Sequence, residues 1–173
     1  HRDLHYPLRR QRQMCIRDRV MSKMILKTLE NVDKPALAGL WPNENNMNIV
    51  LDLGANVECS EKNLIDFSEM GSALFKSLFP NEKAKLSLLN IGSEEIKGTG
   101  ILKSTYAKLK QLGQFGDFEF CGYIEGNNIT KGDSNVIVTD GFTGNVALKT
   151  AEGTAEFLTK NLKKALSENI FSK

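Results

Sequence analysis

Four glycine-bearing segments recur along this 173-residue chain, each closing a short apolar run: LDLGAN (51–56), LLNIGSEEIKGTG (88–100), CGYIEGNNI (121–129) and VIVTDGFTGN (136–145). Short apolar runs that end on glycine and are separated by helical spacing point to an open α/β sheet, in which ligands collect outside the carboxyl ends of the strands. Glycine at those ends lets backbone N–H groups and helix N-termini approach an anion. The pattern reads as a phosphate or acyl-phosphate site.

The periodicity between these segments gives strand, helix, strand, helix, two strands and a long helix. NIVLDL (48–53) is a short strand ending at Gly54. Ser60 is a plausible N-cap, and Leu64, Ile65, Phe67, Met70, Leu74, Phe75 and Leu78 then recur at helical spacing until Pro80. KLSLLNI (85–91) is the next strand, followed by a helix around 103–112 and two strands rich in aromatic and β-branched residues, 117–124 and 135–140. After Gly141 and Thr143 a helix is expected to run to about residue 168, with Val146, Leu148, Ala151, Phe157, Leu158, Leu162 and Leu166 as its buried stripe. This alternation implies a mainly parallel sheet between helical layers. No apolar run approaches the roughly 18 residues that a membrane span needs.

The first 19 residues read differently. All six arginines (Arg2, Arg9, Arg10, Arg12, Arg17 and Arg19) and both histidines (His1 and His5) fall within them, and they show neither a helical nor a strand period. We expect residues 1–19 to be a non-native extension and residues 20–173 to form one partial α/β domain; a nucleic-acid-binding arm is the alternative reading of the first segment. Residues 20–173 carry seventeen lysines against nineteen carboxylates, so the basic balance of the whole chain is no argument for a nucleic-acid partner. Cys15, Cys59 and Cys121 form an odd set without CxxC spacing, which fits a reducing, cytoplasmic compartment.

Residues 20–173 contain no histidine, which excludes Ser-His-Asp and Cys-His nucleophile pairs and a histidine-rich metal site from this part of the chain. GTG at 98–100 lacks the third glycine of a dinucleotide fingerprint, and Lys97-Gly98 inverts the order of a P-loop, so no nucleotide cofactor and no metal is expected. In DGFTGN, Asp140 ends an apolar strand and Thr143 to Asn145 open a helix, an anion-binding arrangement. The same residues also read as an ordinary strand-to-helix turn with Thr143 as its cap. Lys97 is placed to neutralise a phosphate, or is a solvated loop lysine beside Glu94 and Glu95.

Taken in order, LDLGANVECSEKNLIDFSEMGS (51–72), LSLLNIGSEEIKGTG (86–100), GYIEGNNI (122–129) and NVIVTDGFTGNVALKTAEG (135–153), preceded by PALAGLWP (35–42), resemble the bacterial phosphate acyltransferase (PlsX) family of phospholipid synthesis. The resemblance implies a three-layer α/β/α fold of the isocitrate-dehydrogenase and phosphotransacetylase type. It also implies transfer of a long-chain acyl group from acyl carrier protein to inorganic phosphate, with no cofactor. Further implied are a homodimer, contact with the inner face of the membrane and a downstream glycerol-3-phosphate acyltransferase.

On that reading Lys97, Asp140 and Asn145 are the catalytic candidates. Asn56, Asn90, Gly141, Thr143 and Gly144 are the phosphate-binding candidates. The glycine-rich first half of that family and its distal C-terminal segment have no counterpart here. The expected domain is therefore incomplete and, on that expectation, inactive alone. A coenzyme A-dependent phosphotransacylase relative and a non-catalytic dimerisation fragment are the alternatives.

Overall fold

A computed structural model describes residues 32–170 of the chain. The expected extension at residues 1–19, with its arginines, histidines and Cys15, lies outside the described residues. The chain divides into two compact units, His1–Pro35 and Ala36–Lys173. Every element below belongs to the second.

Five strands, β1 (Gly39–Pro42), β2 (Met47–Leu51), β3 (Ala84–Leu89), β4 (Phe118–Ile124) and β5 (Val136–Val138), form one sheet in the order β1-β2-β5-β3-β4. All neighbouring pairs except β1–β2 are parallel. β2 and β5 are almost wholly buried apolar runs, as expected of parallel strands covered on both faces. β1 lies outside the strands expected from sequence, because GLWP shows no strand period; it sits where proline is tolerated, on the sheet edge. It is turned back onto β2 by Asn43, whose side-chain carbonyl accepts the N–H groups of Asn45 (2.8 Å) and Asn46 (2.5 Å).

Helix α1 (Glu61–Leu78) follows β2 and α2 (Gly100–Leu112) follows β3; both bury one face against the sheet. Ser60 is the N-cap of α1, as read from the sequence. Its hydroxyl oxygen accepts the Asn63 N–H while the Asn63 side chain accepts the Ser60 N–H, a reciprocal cap. Leu64, Phe67, Phe75 and Leu109 pack with Ile49, Leu51, Leu86, Leu88, Val136 and Val138 in the larger core. The opposite face is covered more thinly, by Ile129 on the β4–β5 connection and by Trp41 and Leu148 packing on Val50, Leu53, Leu89, Ile124 and Ile137.

Helix α3 (Gly141–Ile170) corrects one expectation. Of its stripe, Leu148 packs on the core, whereas Val146, Phe157, Leu158, Leu162 and Leu166 are exposed. Its first turns meet β2, and every residue from Glu152 to Ser167 is exposed. A 3.6-residue period reports that a helix has an apolar face and not that this stretch of chain covers it.

Candidate active site at the strand ends

Chain direction at the sheet edge defines the site. The helices after β2 and β3 lie on the face of the larger core, whereas α3, after β5, leaves toward the other face, where Leu148 packs. β5 runs between β2 and β3, so the chain parts to opposite faces on both sides of its carboxyl end. Ligands of open α/β sheets occupy crevices at such switch points. Three segments converge there: 52–56 after β2, 90–98 after β3 and 139–145 after β5.

The first segment is organised by Asp52, whose side chain is wholly buried. Its Oδ1 accepts the N–H groups of Leu37 (3.0 Å), Gly54 (3.2 Å) and Ala55 (2.8 Å); its Oδ2 accepts the Asn56 N–H (2.7 Å) and the Asn56 side-chain amide (2.8 Å). The peptide bond from Leu51 to Asp52 is cis. Gly54 sits at φ +128°, a region open to glycine and strained for other residues. A Cβ built there would meet the Asn145 side chain at 3.4 Å, which places this loop beside α3.

The first turn of α3 is seated on that loop. The Gly141 N–H donates to the Asn56 carbonyl at 2.8 Å. A Cβ on Gly141 would lie 2.6 and 2.7 Å from Asn56 backbone atoms, and one on Gly144 would run into the Asp52 carbonyl. The two glycines thus permit close approach of backbone to backbone. Their N–H groups are engaged within the chain, that of Gly144 on the Asp140 carbonyl at 2.9 Å.

Asp140 is the helix cap: Oδ1 accepts the Thr143 N–H (2.8 Å) and Oδ2 accepts the Thr143 hydroxyl (2.7 Å). The capping that sequence placed on Thr143 belongs to Asp140, because a carboxylate outcompetes a hydroxyl for the positive end of a helix.

After β3, the buried Asn90 donates its amide to the carbonyls of Gly92 (3.1 Å) and Lys97 (3.2 Å), tying both ends of the 92–97 loop. Gly98, at φ +94°, closes over the Asn90 side chain. Lys97 extends over Gly92 to Glu94, at 2.9 Å; both side chains are about half exposed (47% and 54%), so water screens the pair. That hydrogen bond raises the lysine pKa, with the charge of Glu94 and, more weakly, of Glu125 adding to it, and it lowers that of Glu94. Glu95 turns away to α2, accepting the Tyr106 hydroxyl (2.7 Å) and the Lys110 ammonium (3.0 Å), and is held below the usual carboxylate range by the tyrosine first and the lysine second. Burial, then Glu95, pushes Tyr106 up to about 12.

The structure thus joins Asn56, Gly141, Thr143, Gly144 and Asn145 with Asp140 in one cluster and Asn90 with Lys97 in a second, at the ends of adjacent strands. Asn56 and Asn90 spend side-chain amides on their own loops. Sequence reading passed over Asp52. The signal was a carboxylate closing an apolar strand two residues before a glycine, in DLGAN.

The family model of the fatty acid synthesis protein matches residues 18–173. The chain is 66% identical over 154 residues to the phosphate acyltransferase of Pelagibacter ubique, covering 89% of this chain and 46% of that protein. It is 45% identical over 153 residues to the phosphate acyltransferase of Bartonella bacilliformis, covering 88% of this chain and 43% of the relative. The chain therefore spans about half the length of the curated relatives it matches. Among solved structures, the EutD phosphotransacetylase from Staphylococcus aureus aligns with a TM-score of 0.61 at 15% identity over 78% of this chain and 46% of its own. That likeness shows the fold, and it bears out the expected phosphotransacetylase-like α/β architecture.

Proposed function

The chain belongs to the fatty acid synthesis protein family, and from that premise we propose that it carries the strand-end part of a site that transfers a long-chain acyl group from acyl carrier protein to inorganic phosphate. The observation that carries the reading is the seating of the α3 N-terminus on the 52–56 loop, beside the 90–98 loop, at the switch point of the sheet. The names of the relatives in Pelagibacter and Bartonella support phosphate as the acyl acceptor.

The chemistry asks little of a protein nucleophile. An oxygen of hydrogen phosphate attacks the thioester carbon, the tetrahedral oxyanion collapses, the C–S bond breaks, and the phosphate proton passes to the departing thiolate to leave acyl phosphate and the carrier thiol. What the site supplies is placement of phosphate and stabilisation of the oxyanion. We assign contact with these groups to Lys97 and Asn145. Asn56, Asn90, Gly141 and Gly144 shape their surroundings, because their own donors are engaged within the chain. Thr143 and Asp140 form the helix cap, and Asp140 accepts a proton in this scheme only by releasing Thr143.

The wider proposal covers a cytoplasmic homodimer at the membrane periphery, delivering acyl phosphate to a glycerol-3-phosphate acyltransferase, with residues 1–19 outside the domain. The exposed apolar stripe of α3 supports a protein or membrane contact. Among the described residues no helix is long and apolar enough to cross a membrane.

The test is acyl phosphate formation from long-chain acyl carrier protein and phosphate by the chain restored to the full length of its relatives. Turnover that requires phosphate, prefers carrier protein to coenzyme A, and falls on Lys97→Ala and Asn145→Ala is the expected result. Turnover that both variants retain overturns the residue assignment, and absence of phosphate-dependent turnover overturns the function.

A further inference from the structure

Asp52 is a carboxylate with no contact to water and no basic side chain among its hydrogen-bond donors, held by four backbone N–H groups and one amide. A buried charge is tolerated only when its lone pairs are filled, and here the donors filling them are the backbone of the loop itself. The consequence is geometric. N–H groups from Gly54, Ala55 and Asn56 all turn inward onto one side chain, so the Asn56 carbonyl is presented outward, where it receives the Gly141 N–H. The Asp52 carbonyl lies against Gly144 on the same turn of α3. Leu37, on the segment leading into β1, adds a further donor to Oδ1 from outside the site. Asp52 thus touches both the loop after β2 and, through it, the turn after β5 that holds Thr143 and Asn145.

We propose that Asp52 is a positioning residue for phosphate: its carboxylate fixes the 53–56 loop and, through the Asn56–Gly141 bond, sets where the first turn of α3 meets the anion. The inference rests on the acyl-to-phosphate reading of the site. It concerns a residue that reaches no substrate, and it separates from a merely structural role by what changes in the kinetics. A purely structural Asp52 would, on replacement, lower the amount of folded enzyme and so the apparent kcat, with both Michaelis constants unmoved. A positioning Asp52 moves the constant for phosphate selectively.

Asp52→Asn keeps the size of the side chain and turns one acceptor into a donor that faces N–H groups. In the chain restored to the full length of its relatives, with the folded fraction measured by circular dichroism, we expect the KM for inorganic phosphate to rise by about tenfold or more while the KM for acyl carrier protein stays within about threefold. Leu37→Pro removes a single N–H donor to the same carboxylate and keeps the Leu37 carbonyl that accepts the Leu53 N–H at 3.0 Å. We expect it to raise the phosphate KM in the same direction and by less than Asp52→Asn does. A folded Asp52→Asn enzyme with wild-type KM for phosphate overturns the inference and leaves the function standing. Should Asp52→Asn fail to fold, Leu37→Pro decides on the same criterion. Absence of phosphate-dependent turnover in the unsubstituted enzyme overturns the functional reading and this inference with it.

Discussion

Gly144→Ala and Gly153→Ala place the same methyl group twice on one helix in opposite surroundings. At Gly153 a Cβ meets nothing within 4 Å. There alanine contributes its better helix propensity, about 1 kcal/mol, and less chain entropy is lost on folding. At Gly144 the methyl would run into the Asp52 carbonyl and lie 2.9 Å from Thr139 Cγ2 and 3.0 Å from the Asp52 carbonyl carbon. Carbon atoms pack at about 3.5–4.0 Å, so the turn must move by roughly half an ångström or more. Two of the three neighbours are backbone and cannot rotate away.

Overpacking of this kind costs about 1–3 kcal/mol, and the propensity gain offsets part of it. Because the closest clash is with the Asp52 backbone carbonyl, the cost lies at the upper end of that range, and the balance is a loss of about 2 kcal/mol. For a domain of this size each kcal/mol moves Tm by about 2–4 °C. Thermal unfolding followed by circular dichroism should show Gly144→Ala several degrees below the parent and Gly153→Ala at or above it. A Gly144→Ala chain that melts with or above the parent refutes the close seating of α3 on the 52–56 loop.

Further predictions follow from individual contacts. Asp140→Asn retains a good N-cap and should leave stability within about 0.5 kcal/mol, whereas Asp140→Ala should cost about 1 kcal/mol in chemical denaturation; if Asp140 only caps α3, Asp140→Asn also keeps full turnover in the restored enzyme. The Tyr106 phenol should ionise at about 12 by ultraviolet titration. Because its folded value lies above the ordinary 10.0, its contribution to stability is complete below pH 10 and lost as pH rises toward 12, and Tyr106→Phe should flatten that limb. The Glu95 carboxyl has the opposite sign. Lowered from 4.5, it contributes above that pH and is lost as pH falls through its folded value, a change that Glu95→Gln should remove. Leu162→Ala should change the stability of this chain by less than about 0.5 kcal/mol, since the side chain is exposed. Phe67→Ala, wholly buried between α1 and the sheet, should cost about 3–5 kcal/mol.

What could be read ahead of the structure followed the physics that acts locally. Ser60 and the 61–78 stripe were legible because a cap and an amphipathic face are written within a few residues of one another. The order β2-β5-β3 was not, because the three residues of β5 carry no mark of which neighbours they will take. Glycines 141 and 144 were rightly placed at a strand end, but their service turned out to be close packing against Asp52 and Asn56, a distant-contact property that sequence does not display. Asp52 was overlooked for the same reason. A carboxylate that organises a loop and one that faces water look alike until the N–H groups around it have positions.

Among the described strands β5 comes last in sequence, yet it is the middle of the sheet. Each of its three residues pairs on both sides, Val136 with Ile49 and Leu86, Ile137 with Val50 and Ser87, Val138 with Leu51 and Leu88. β2 and β3 share no hydrogen-bonded ladder of their own. Without residues 136–138 the described strands fall into two separate ribbons, β1–β2 and β3–β4, and two-stranded ribbons are marginal in water. Until β5 enters between them the apolar inner edges of both ribbons stay open, and that is when these strands are most exposed to wrong pairing. A three-residue keystone that follows both of its neighbours in sequence ties their union to one short stretch of chain.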